Sequence, residues 1–367
     1  MTAVLLPAAL ERIVNVAEFE PPARAAMEPA AFDYVAGGAW DEQSLAEAEE
    51  AWRRRRLRPR VLVDVSRIDP STTMAGTSVP LPIGIAPMAA HGLAHPEAEA
   101  ATARASAAAG IPFALSTMST CSMEEVAAAA PDGPRWFQLY AQARPGRSRE
   151  LVERAEAAGY TAIVVTVDLP VLGYRERDLR NGWDLSVRHG NFHDDEGPDH
   201  ATHDGSADGG YEIIADALDQ GLRWQDVAEI RTWTRLPILL KGILTAEDAH
   251  LAVEAGVDGI VVSSHGARQL DRTVAPADAL EEVVAAVEAR AEVWVDGGIR
   301  RGLDVVTALA LGARGVLVGR PILWALAAGG EAGVARALAI LHQETVLAMT
   351  LLGTPTVADI SRAHVAG

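Results

Sequence analysis

The fold is indicated by residues 292–320, EVWVDGGIRRGLDVVTALALGARGVLVGR. The apolar runs Glu292–Val295 and Gly315–Val318 predict two strands, and the Ala- and Leu-rich segment Gly302–Leu311 predicts a helix between them. Gly312 follows this helix at the position where a glycine commonly ends one. Because a helix that connects two strands is typical of parallel pairing, the stretch predicts an α/β fold.

The same alternation of a short apolar run, a turn and a helix recurs from Pro82 onwards. Such runs are typical of parallel strands that are covered on both faces. Eight strands are predicted in all, which is the number in a (β/α)8 TIM barrel. We therefore expect one domain over 1–367, with an N-terminal extension at 1–80 and the barrel at 81–367. The other predicted strands are Ile83–Ala86, Phe113–Leu115, Trp136–Leu139, Ala162–Val167, Ile238–Leu240 and Gly259–Val262, and further predicted helices are Pro96–Ala109 and Glu247–Ala255.

Two segments depart from this alternation. The extension predicts helices at Ala8–Glu18, Pro29–Ala36 and Ala46–Arg56. Between strands 4 and 5, residues 181–211 form a long insertion that we interpret as a mobile lid loop over the site. Its acidic and histidine side chains lack a regular ligand spacing, so no metal site is predicted. They are His193, Asp194, Asp195, His200, His203 and Asp204.

The chain is acidic, with 50 Asp and Glu against 32 Lys and Arg and a formal net charge of −18. Nucleic acid and anionic lipid are repelled by such a surface, so neither is expected as a partner. The arginine run 53–56 is interpreted as a surface cluster in salt bridges. Cys121 is the single cysteine, no secretory signal or membrane-spanning run is recognised, and residues 364–367 do not resemble a peroxisomal signal. We expect a soluble cytoplasmic protein.

Polar side chains follow the predicted strands at their carboxyl ends, where barrels carry their active sites. Four of them are cations, Arg175, Lys241, Arg268 and Arg300. Because they converge on one face, they could attract an anionic substrate in spite of the acidic exterior. His265 stands three residues before Arg268 and could act as a base on a substrate whose carboxylate the arginine holds.

The ends of strands 7 and 8 favour a phosphate group. Asp296–Arg300 and Gly319-Arg320 combine glycine backbone N–H groups, the start of a helix and arginine side chains. The chain has no dinucleotide fingerprint or Walker A loop that opens a helix after a strand. The phosphate is therefore expected on another cofactor or on a substrate.

Three segments resemble a known family. Ser263–Asp271 (SSHGARQLD), Leu240–Gly242 (LKG) and Asp296–Gly302 (DGGIRRG) are similar to the FMN-dependent 2-hydroxy acid oxidases and dehydrogenases. That family includes glycolate oxidase, lactate oxidase, mandelate dehydrogenase, hydroxymandelate oxidase and flavocytochrome b2. The resemblance extends from Phe32 to His364. It implies FMN as the cofactor and a homotetramer as the assembly.

The resemblance implies catalytic and substrate-binding roles. His265 matches the base, and Asp168 matches its carboxylate partner. Lys241 matches the cation beside the N1–C2=O edge of the flavin, where negative charge develops on reduction. The residues that match the groups around the substrate are Tyr34, Met118, Tyr140, Arg175 and Arg268.

The resemblance also implies a set of cofactor contacts. Residues after strands 1 to 4 and strand 6 match the groups around the isoalloxazine, and residues after strands 7 and 8 match the ribityl and phosphate contacts. The first group is Pro87, Met88, Ala89, Ser116, Gln138, Thr166 and Ser263, and the second is Asp296, Gly298, Arg300, Gly319 and Arg320.

The implied reaction is the oxidation of an (S)-2-hydroxy acid to the 2-oxo acid, with O2 as electron acceptor and H2O2 as product. His265 either removes the Cα proton or takes the hydroxyl proton while hydride leaves for the flavin, and both routes stay open. The acidic loop between strands 4 and 5 favours O2 over a quinone or protein acceptor, which is the alternative. A flavin-free barrel enzyme that acts on a phosphorylated substrate is the remote alternative.

Two residues depart from the glycolate-type pattern. Met118 stands where those enzymes carry a tryptophan, and a slimmer, flexible side chain leaves room for a bulkier, mandelate-like substrate. Ser264 replaces the asparagine that usually precedes the histidine. Serine and asparagine are both small and polar, so we expect this replacement to have a modest effect.

Overall fold

The computed structural model describes residues 7–182, 187–192 and 218–366. The prediction of one helix over Ala8–Glu18 is wrong, because the segment contains helix α1 (Pro7–Leu10) and a separate 3₁₀ turn at Val16–Phe19. The Asn15 side chain starts this turn by accepting a hydrogen bond from the backbone N–H two residues on, at 3.0 Å. Two prolines then fit the first turn of α2 (Glu20–Ala26).

The next two helices carry the extension over the barrel. Helix α3 (Pro29–Ala36) has the predicted bounds, whereas α4 (Gln43–Arg53) begins and ends three residues before the predicted Ala46–Arg56. The Asp271 carboxylate follows barrel strand β8 (Gly259–Val262) in the chain. It accepts hydrogen bonds from the first two backbone N–H groups of α4 at 3.3 and 2.8 Å. The start of α4 is therefore set by a tertiary cap that no neighbouring residue provides.

A hairpin that the sequence reading missed precedes the barrel. Strands β1 (Thr72–Met74) and β2 (Thr77–Val79) pair antiparallel, and the two residues between them have φ values of 45° and 77°. The second of these is Gly76, which adopts a left-handed conformation without strain. Met74 and Val79 are buried against the inside of the barrel, so the hairpin closes its amino-terminal end.

Eight parallel strands form a closed barrel in which each strand pairs with its neighbours in chain order. This arrangement confirms the predicted (β/α)8 fold. Because all strands point the same way, their carboxyl ends meet at one face. The strands are β3 (Ile83–Ile85), β4 (Phe113–Ser116), β5 (Arg135–Leu139), β6 (Ala162–Thr166), β7 (Ile238–Ile243), β8 (Gly259–Val262), β9 (Glu292–Val295) and β10 (Gly315–Val318).

The interior of the barrel is packed rather than open. Trp136 and Trp294 meet edge to face with ring centroids 5.7 Å apart. Gly259 makes room for the second ring, because a Cβ at this position would lie 2.2 Å from Trp294. A ligand can therefore bind only beyond the strand ends. The later helices are α5 (Ala98–Ala108), α6 (Met123–Ala129), α7 (Arg147–Ala157), α8 (Glu176–Arg180), α9 (Trp224–Trp233), α10 (Ala246–Glu254), α11 (Pro276–Val287), α12 (Gly302–Ala310) and α13 (Arg320–Leu352).

Helix α13 bears on the expectation that the sequence contains no membrane-spanning run. In the part of the chain that the structure describes, it alone is long and apolar enough to cross a membrane by length and composition. However, 72% of its most apolar window is buried inside the protein, and Gly329 and Gly330 break its helical backbone. These properties are typical of a core helix.

Candidate active site

The turn after β8 presents His265 in a strained conformation. His265, Gly266 and Ala267 have φ values of 56°, 63° and 59°, and only the glycine adopts this region at no cost. For each of the two other residues this conformation carries a strain energy on the order of 1–3 kcal/mol. Strained residues of this kind commonly cluster at functional sites. The Ser263 hydroxyl holds the turn by accepting the His265 N–H at 3.1 Å, and the N–H of Ala39 bonds to the Ala267 carbonyl at 2.9 Å.

His265 lies between a carboxylate and a phenol. Its Nδ1–H donates to Asp168 Oδ1 at 2.7 Å, which leaves Nε2 as the acceptor, 3.2 Å from the Tyr140 hydroxyl. The His265 and Asp168 side chains are only 13% and 15% exposed. This tautomer places a lone pair at Nε2, which is the arrangement that a general base needs.

The charges around His265 set its protonation. Burial lowers the pKa of His265 below its ordinary value; Asp168 opposes this, and Lys241 and Arg175 add to it. Burial of Asp168 disfavours its charged form, but His265 and Lys241 together hold the pKa of that carboxyl below its ordinary value. Burial, with Asp168 and Tyr34, raises the pKa of Tyr140 well above the usual range, so its hydroxyl stays protonated. The pair is thus neutral His265 beside ionised Asp168.

Gln269 is a site residue that the sequence reading missed. Its Nε2 donates to the Asp168 carbonyl at 3.1 Å, and its Oε1 accepts from Gly173 N at 3.1 Å and from Arg175 Nη2 at 3.4 Å. The side chain therefore ties the β8 turn to the segment after β6. Its place in the SSHGARQLD segment, one residue after Arg268, was the available signal.

Lys241 is the only lysine in a chain that otherwise uses arginine for its fixed cations. It is 4% exposed, and its Nζ donates to Ser263 Oγ at 3.0 Å and lies 3.5 Å from Asp296 Oδ2. A compact ammonium fits between Ser263 and Asp296 better than a planar guanidinium does. This unique residue type is a sequence signal for the site.

Three buried polar atoms at the ends of β5, β6 and β9 have no hydrogen-bond partner among the residues that the structure describes. They are Gln138 Nε2, Thr166 Oγ1 and Asp296 Oδ1. Thr166 stands in register with Lys241 on the neighbouring strand. Because buried polar groups are nearly always bonded, this set of donors and acceptors fits the polar edge and the ribityl hydroxyls of a flavin.

The other predicted flavin contacts lie at the ends of β3, β4 and β10. Ser116 Oγ donates to Gln138 Oε1 at 3.1 Å and accepts from Met118 N at 3.1 Å. Met118 in turn accepts the N–H of Ala90 at 3.1 Å, which joins the β4 end to the loop after β3. That loop contains Pro87, Met88 and Ala89, which are partly exposed, and the Met88 sulfur packs near Gly319.

The two predicted carboxylate-binding arginines are held by backbone carbonyls. Arg268 Nη1 donates to the carbonyls of Tyr34 and Gly37, and its guanidinium lies 4.6 Å from the centroid of the Tyr34 ring. Arg175 Nε donates to the Arg268 carbonyl at 3.1 Å. The structure therefore brings both arginines and Tyr34 beside the His265 turn.

The predicted phosphate contacts lie at the ends of β9 and β10. Arg300 forms a salt bridge with Glu49 of α4 at 2.9 Å and lies over the Trp324 ring. Gly298 has a φ of 76° and approaches α4 so closely that a Cβ would lie 1.9 Å from the Ala48 carbonyl. Burial and the repulsion of Arg268 and Arg300 lower the pKa of Arg320 to about 9. Such a concentration of positive charge favours an anion.

The lid prediction for residues 181–211 falls mostly outside the described residues. Of the two described pieces, 181–182 and 187–192, the longer is fastened to the β4 end by Asn191, a second residue that the sequence reading missed. Its Oδ1 accepts Met123 N at 2.8 Å, and its Nδ2 donates to the carbonyls of Ser116 and Thr117 at 3.2 and 3.0 Å. Among the described residues no metal-binding group of three or more His, Cys, Asp or Glu occurs. The six histidines and aspartates weighed above, all between 193 and 204, lie outside the described residues.

Comparison with known proteins agrees with this geometry. A profile of the FMN-dependent dehydrogenase family matches residues 23–367. A peroxisomal (S)-2-hydroxyacid oxidase of Arabidopsis thaliana is 49% identical over 97% of both chains, and a glycolate oxidase of Spinacia oleracea is 48% identical over 96% of both. The crystal structure of mandelate oxidase with (S)-4-hydroxymandelic acid superimposes with a TM-score of 0.91 at 44% identity, covering 96% of this chain and 98% of that one. The chain therefore belongs to the FMN-dependent dehydrogenase family, and its cofactor is FMN.

Proposed function

We propose that this enzyme oxidises an (S)-2-hydroxy acid to the 2-oxo acid. The observation that carries the proposal is the pairing of His265 with Asp168, which leaves Nε2 as an acceptor beside the Tyr140 hydroxyl. Bound FMN supplies the two-electron acceptor. The buried atoms of Gln138, Thr166 and Asp296 that lack partners among the described residues would hold its polar edge and ribityl chain.

The protein groups divide the remaining work. Arg175 and Arg268 bind the substrate carboxylate and orient the Cα–OH towards His265. His265 Nε2 accepts one proton from the substrate, whichever of the two routes is followed. Asp168 stabilises the imidazolium that forms, and Tyr140 donates a hydrogen bond at the reacting oxygen.

Stopped-flow absorbance tests the proposal. The purified holoenzyme is mixed without oxygen with (S)-2-hydroxy acids, and the flavin band near roughly 450 nm is followed. We expect it to bleach with at least one acid and to stay unchanged with the matching (R) enantiomer. A flavin band that none of the (S) acids bleaches would contradict the proposed substrate class.

The pH dependence of flavin reduction reports on His265. A base must be neutral to accept a proton, so kcat/KM is expected to be constant at high pH and to fall about tenfold per pH unit below the pKa of His265. Because burial lowers that pKa, the fall should begin below about 6.5, the ordinary value for histidine. In Asp168→Asn the attraction that raises the pKa is lost. The acid limb should move to lower pH, and the plateau should drop on the order of 10²-fold. If the acid limb of the kcat/KM profile does not shift in Asp168→Asn, Asp168 does not raise the pKa of His265.

We also propose a substrate bulkier than glycolate, with a mandelate-like side chain. Met118 supports this, because it is slimmer and more flexible than the tryptophan that the glycolate-type enzymes carry at this position. Ser116 and Ala90 fix its backbone at the β4 end. The similar mandelate oxidase structure, solved with (S)-4-hydroxymandelic acid, also supports it. The glycolate oxidase relatives argue for a small substrate instead.

Met118→Trp tests the substrate preference. A larger ring at this position should lower kcat/KM for mandelate by roughly tenfold or more, while the value for glycolate should stay the same or rise. Met118→Leu, which conserves the volume, is the control and should keep the preference for mandelate. If the wild type prefers glycolate, or if tryptophan affects both acids equally, Met118 does not set the specificity.

The proposed electron acceptor is O2, with H2O2 as product. The relatives named as oxidases support this acceptor. Mixing the reduced enzyme with oxygenated buffer should restore the oxidised spectrum and release one H2O2 per flavin. Slow reoxidation by O2 combined with fast reoxidation by a quinone would favour the dehydrogenase alternative.

We propose a cytoplasmic homotetramer. The single cysteine, Cys121, is half-buried, which suits a reducing compartment, although the Arabidopsis relative is named peroxisomal. Val61, Leu62 and Leu351 are 80%, 102% and 69% exposed, and apolar side chains of this size usually seek a partner surface. Light scattering of the purified protein tests the tetramer, and imaging of a tagged copy in cells tests the cytoplasmic location.

A further inference from the structure

The C-terminal turn of α3 rests on two arginines that come from the barrel. The last carbonyls of a helix have no partner inside it and carry its negative dipole end. Arg268 donates to the carbonyls of Tyr34 and Gly37. Arg320 donates from Nε to Val35 O at 3.0 Å and from Nη2 to Gly37 O at 2.8 Å. The helix end that presents Tyr34 is therefore capped by side chains remote in sequence.

Arg320 also holds the turn that carries the proposed base. Its Nη2 donates to the Gly266 carbonyl at 2.7 Å, and Gly266 directly follows His265. One guanidinium thus joins the end of α3, the β8 turn and the start of α13. A lysine could not make these contacts together, because its single ammonium lacks the rigid fork of donors.

The two joined segments approach each other without a gap. A Cβ at Gly38 would lie 3.0 Å from the Ala267 carbonyl, and the N–H of Ala39 donates to that same carbonyl at 2.9 Å. Side chains larger than hydrogen would push the end of α3 away from the β8 turn. The separation between Tyr34 and His265 therefore depends on this junction.

We propose that Arg320 is a positioning residue, which clamps the α3 end to the β8 turn and so fixes Tyr34 relative to His265. This role is additional to the phosphate contact that the family resemblance implies, and it rests on the proposed function for its effect on substrate. It also gives the phosphate end of the site a direct connection to the substrate end through the Gly37 carbonyl, which Arg268 and Arg320 share.

The matched variants are Arg320→Lys and Arg300→Lys. Both keep a cation at the phosphate end, but Arg300 contacts Glu49 and Trp324 and none of the α3 carbonyls. Hydrogen–deuterium exchange of the apoprotein measures how well the α3 end is held against the β8 turn, without any cofactor. We expect faster exchange at residues 37–39 in Arg320→Lys and unchanged exchange there in Arg300→Lys.

The FMN-saturated enzymes provide the second readout. Arg320→Lys should raise KM for the hydroxy acid by roughly 3- to 10-fold, the loss of about one neutral hydrogen bond. For Arg300→Lys the readout is FMN affinity, which should fall. In a Tyr34→Phe background the effect of Arg320→Lys on KM should largely disappear, because both changes remove the same contact.

Gly38→Ala is the second variant, in case Arg320→Lys does not fold. It leaves both arginines and the phosphate contacts in place, and it should reproduce the faster exchange and the higher KM while FMN affinity stays normal. The proposed clamp would be overturned if residues 37–39 exchanged at the wild-type rate in both Arg320→Lys and Gly38→Ala. It would also be overturned if the effect of Arg320→Lys on KM persisted fully in the Tyr34→Phe background. Failure of the wild type to oxidise any hydroxy acid would instead contradict the proposed function and leave the exchange result standing.

Discussion

Anaerobic reduction of the flavin by a hydroxy acid is expected to be about 10²- to 10⁴-fold slower in His265→Ala than in the wild type, the usual contribution of a general base. FMN should stay bound, because Lys241 and its partners Ser263 and Asp296 are unchanged. The alanine removes the Nε2 acceptor and leaves Asp168 without the donor at 2.7 Å. Stopped-flow absorbance at saturating substrate measures the rate, and the flavin content of the purified variant measures retention.

His250→Ala is the matched control, since His250 lies exposed on α10 and takes no part in the site. It should reduce its flavin at the wild-type rate. Added imidazole should recover part of the lost rate in His265→Ala, because it restores a base in the cavity left by the side chain. A His265→Ala enzyme that reduces its flavin normally would mean that another group takes the proton.

Lys241→Met is expected to slow flavin reduction by about 10²- to 10³-fold, the effect of removing one oriented charge where negative charge develops. The cation also balances Asp296, which lies 3.5 Å away and is itself buried. At about 2.7 kcal/mol for one such group and 30 mV per 1.4 kcal/mol, the two-electron potential of the bound flavin should fall by on the order of 60 mV. Anaerobic titration of the flavin against a reference dye measures this shift.

Lys241→Arg separates charge from shape. The charge is retained, but a guanidinium does not fit between Ser263 and Asp296 as the ammonium does, so we expect only partial recovery of the rate. Because Lys241 is the only lysine, an amine-selective reagent would have one side-chain target, and FMN should protect it. An unchanged potential in Lys241→Met would place the cation away from the flavin.

The barrel was predictable because its signals are local. The strands are near-continuous apolar runs, and each run is covered on both faces, so residues such as Ile163 and Val164 are buried alike. The polar groups at the strand ends interrupt this pattern abruptly. For this reason His265, Asp168 and Lys241 could be singled out before the strands were seen to close.

The features that the sequence did not predict have a different physical origin. Helix α4 begins at Gln43 because Asp271, far along the chain, accepts its first N–H groups. Gln269 and Asn191 bond to backbone atoms of distant loops, and nothing in their own neighbourhoods predicts those partners. Long-range polar contacts of this kind depend on where the chain returns, and residue type alone does not encode that.

The amino-acid sequence by itself determined the class of fold, the face on which the site lies and the residue types that the site contains, because periodicity and turn chemistry act over a few residues. Only the tertiary structure decided how those residues are used. It showed His265 held in a left-handed turn, and Arg268 and Arg320 bound to the end of α3. The reason is that the type of a side chain, such as a guanidinium or an imidazole, limits the groups to which it can bond. Which group it actually contacts depends on how the barrel closes and how the extension packs across it.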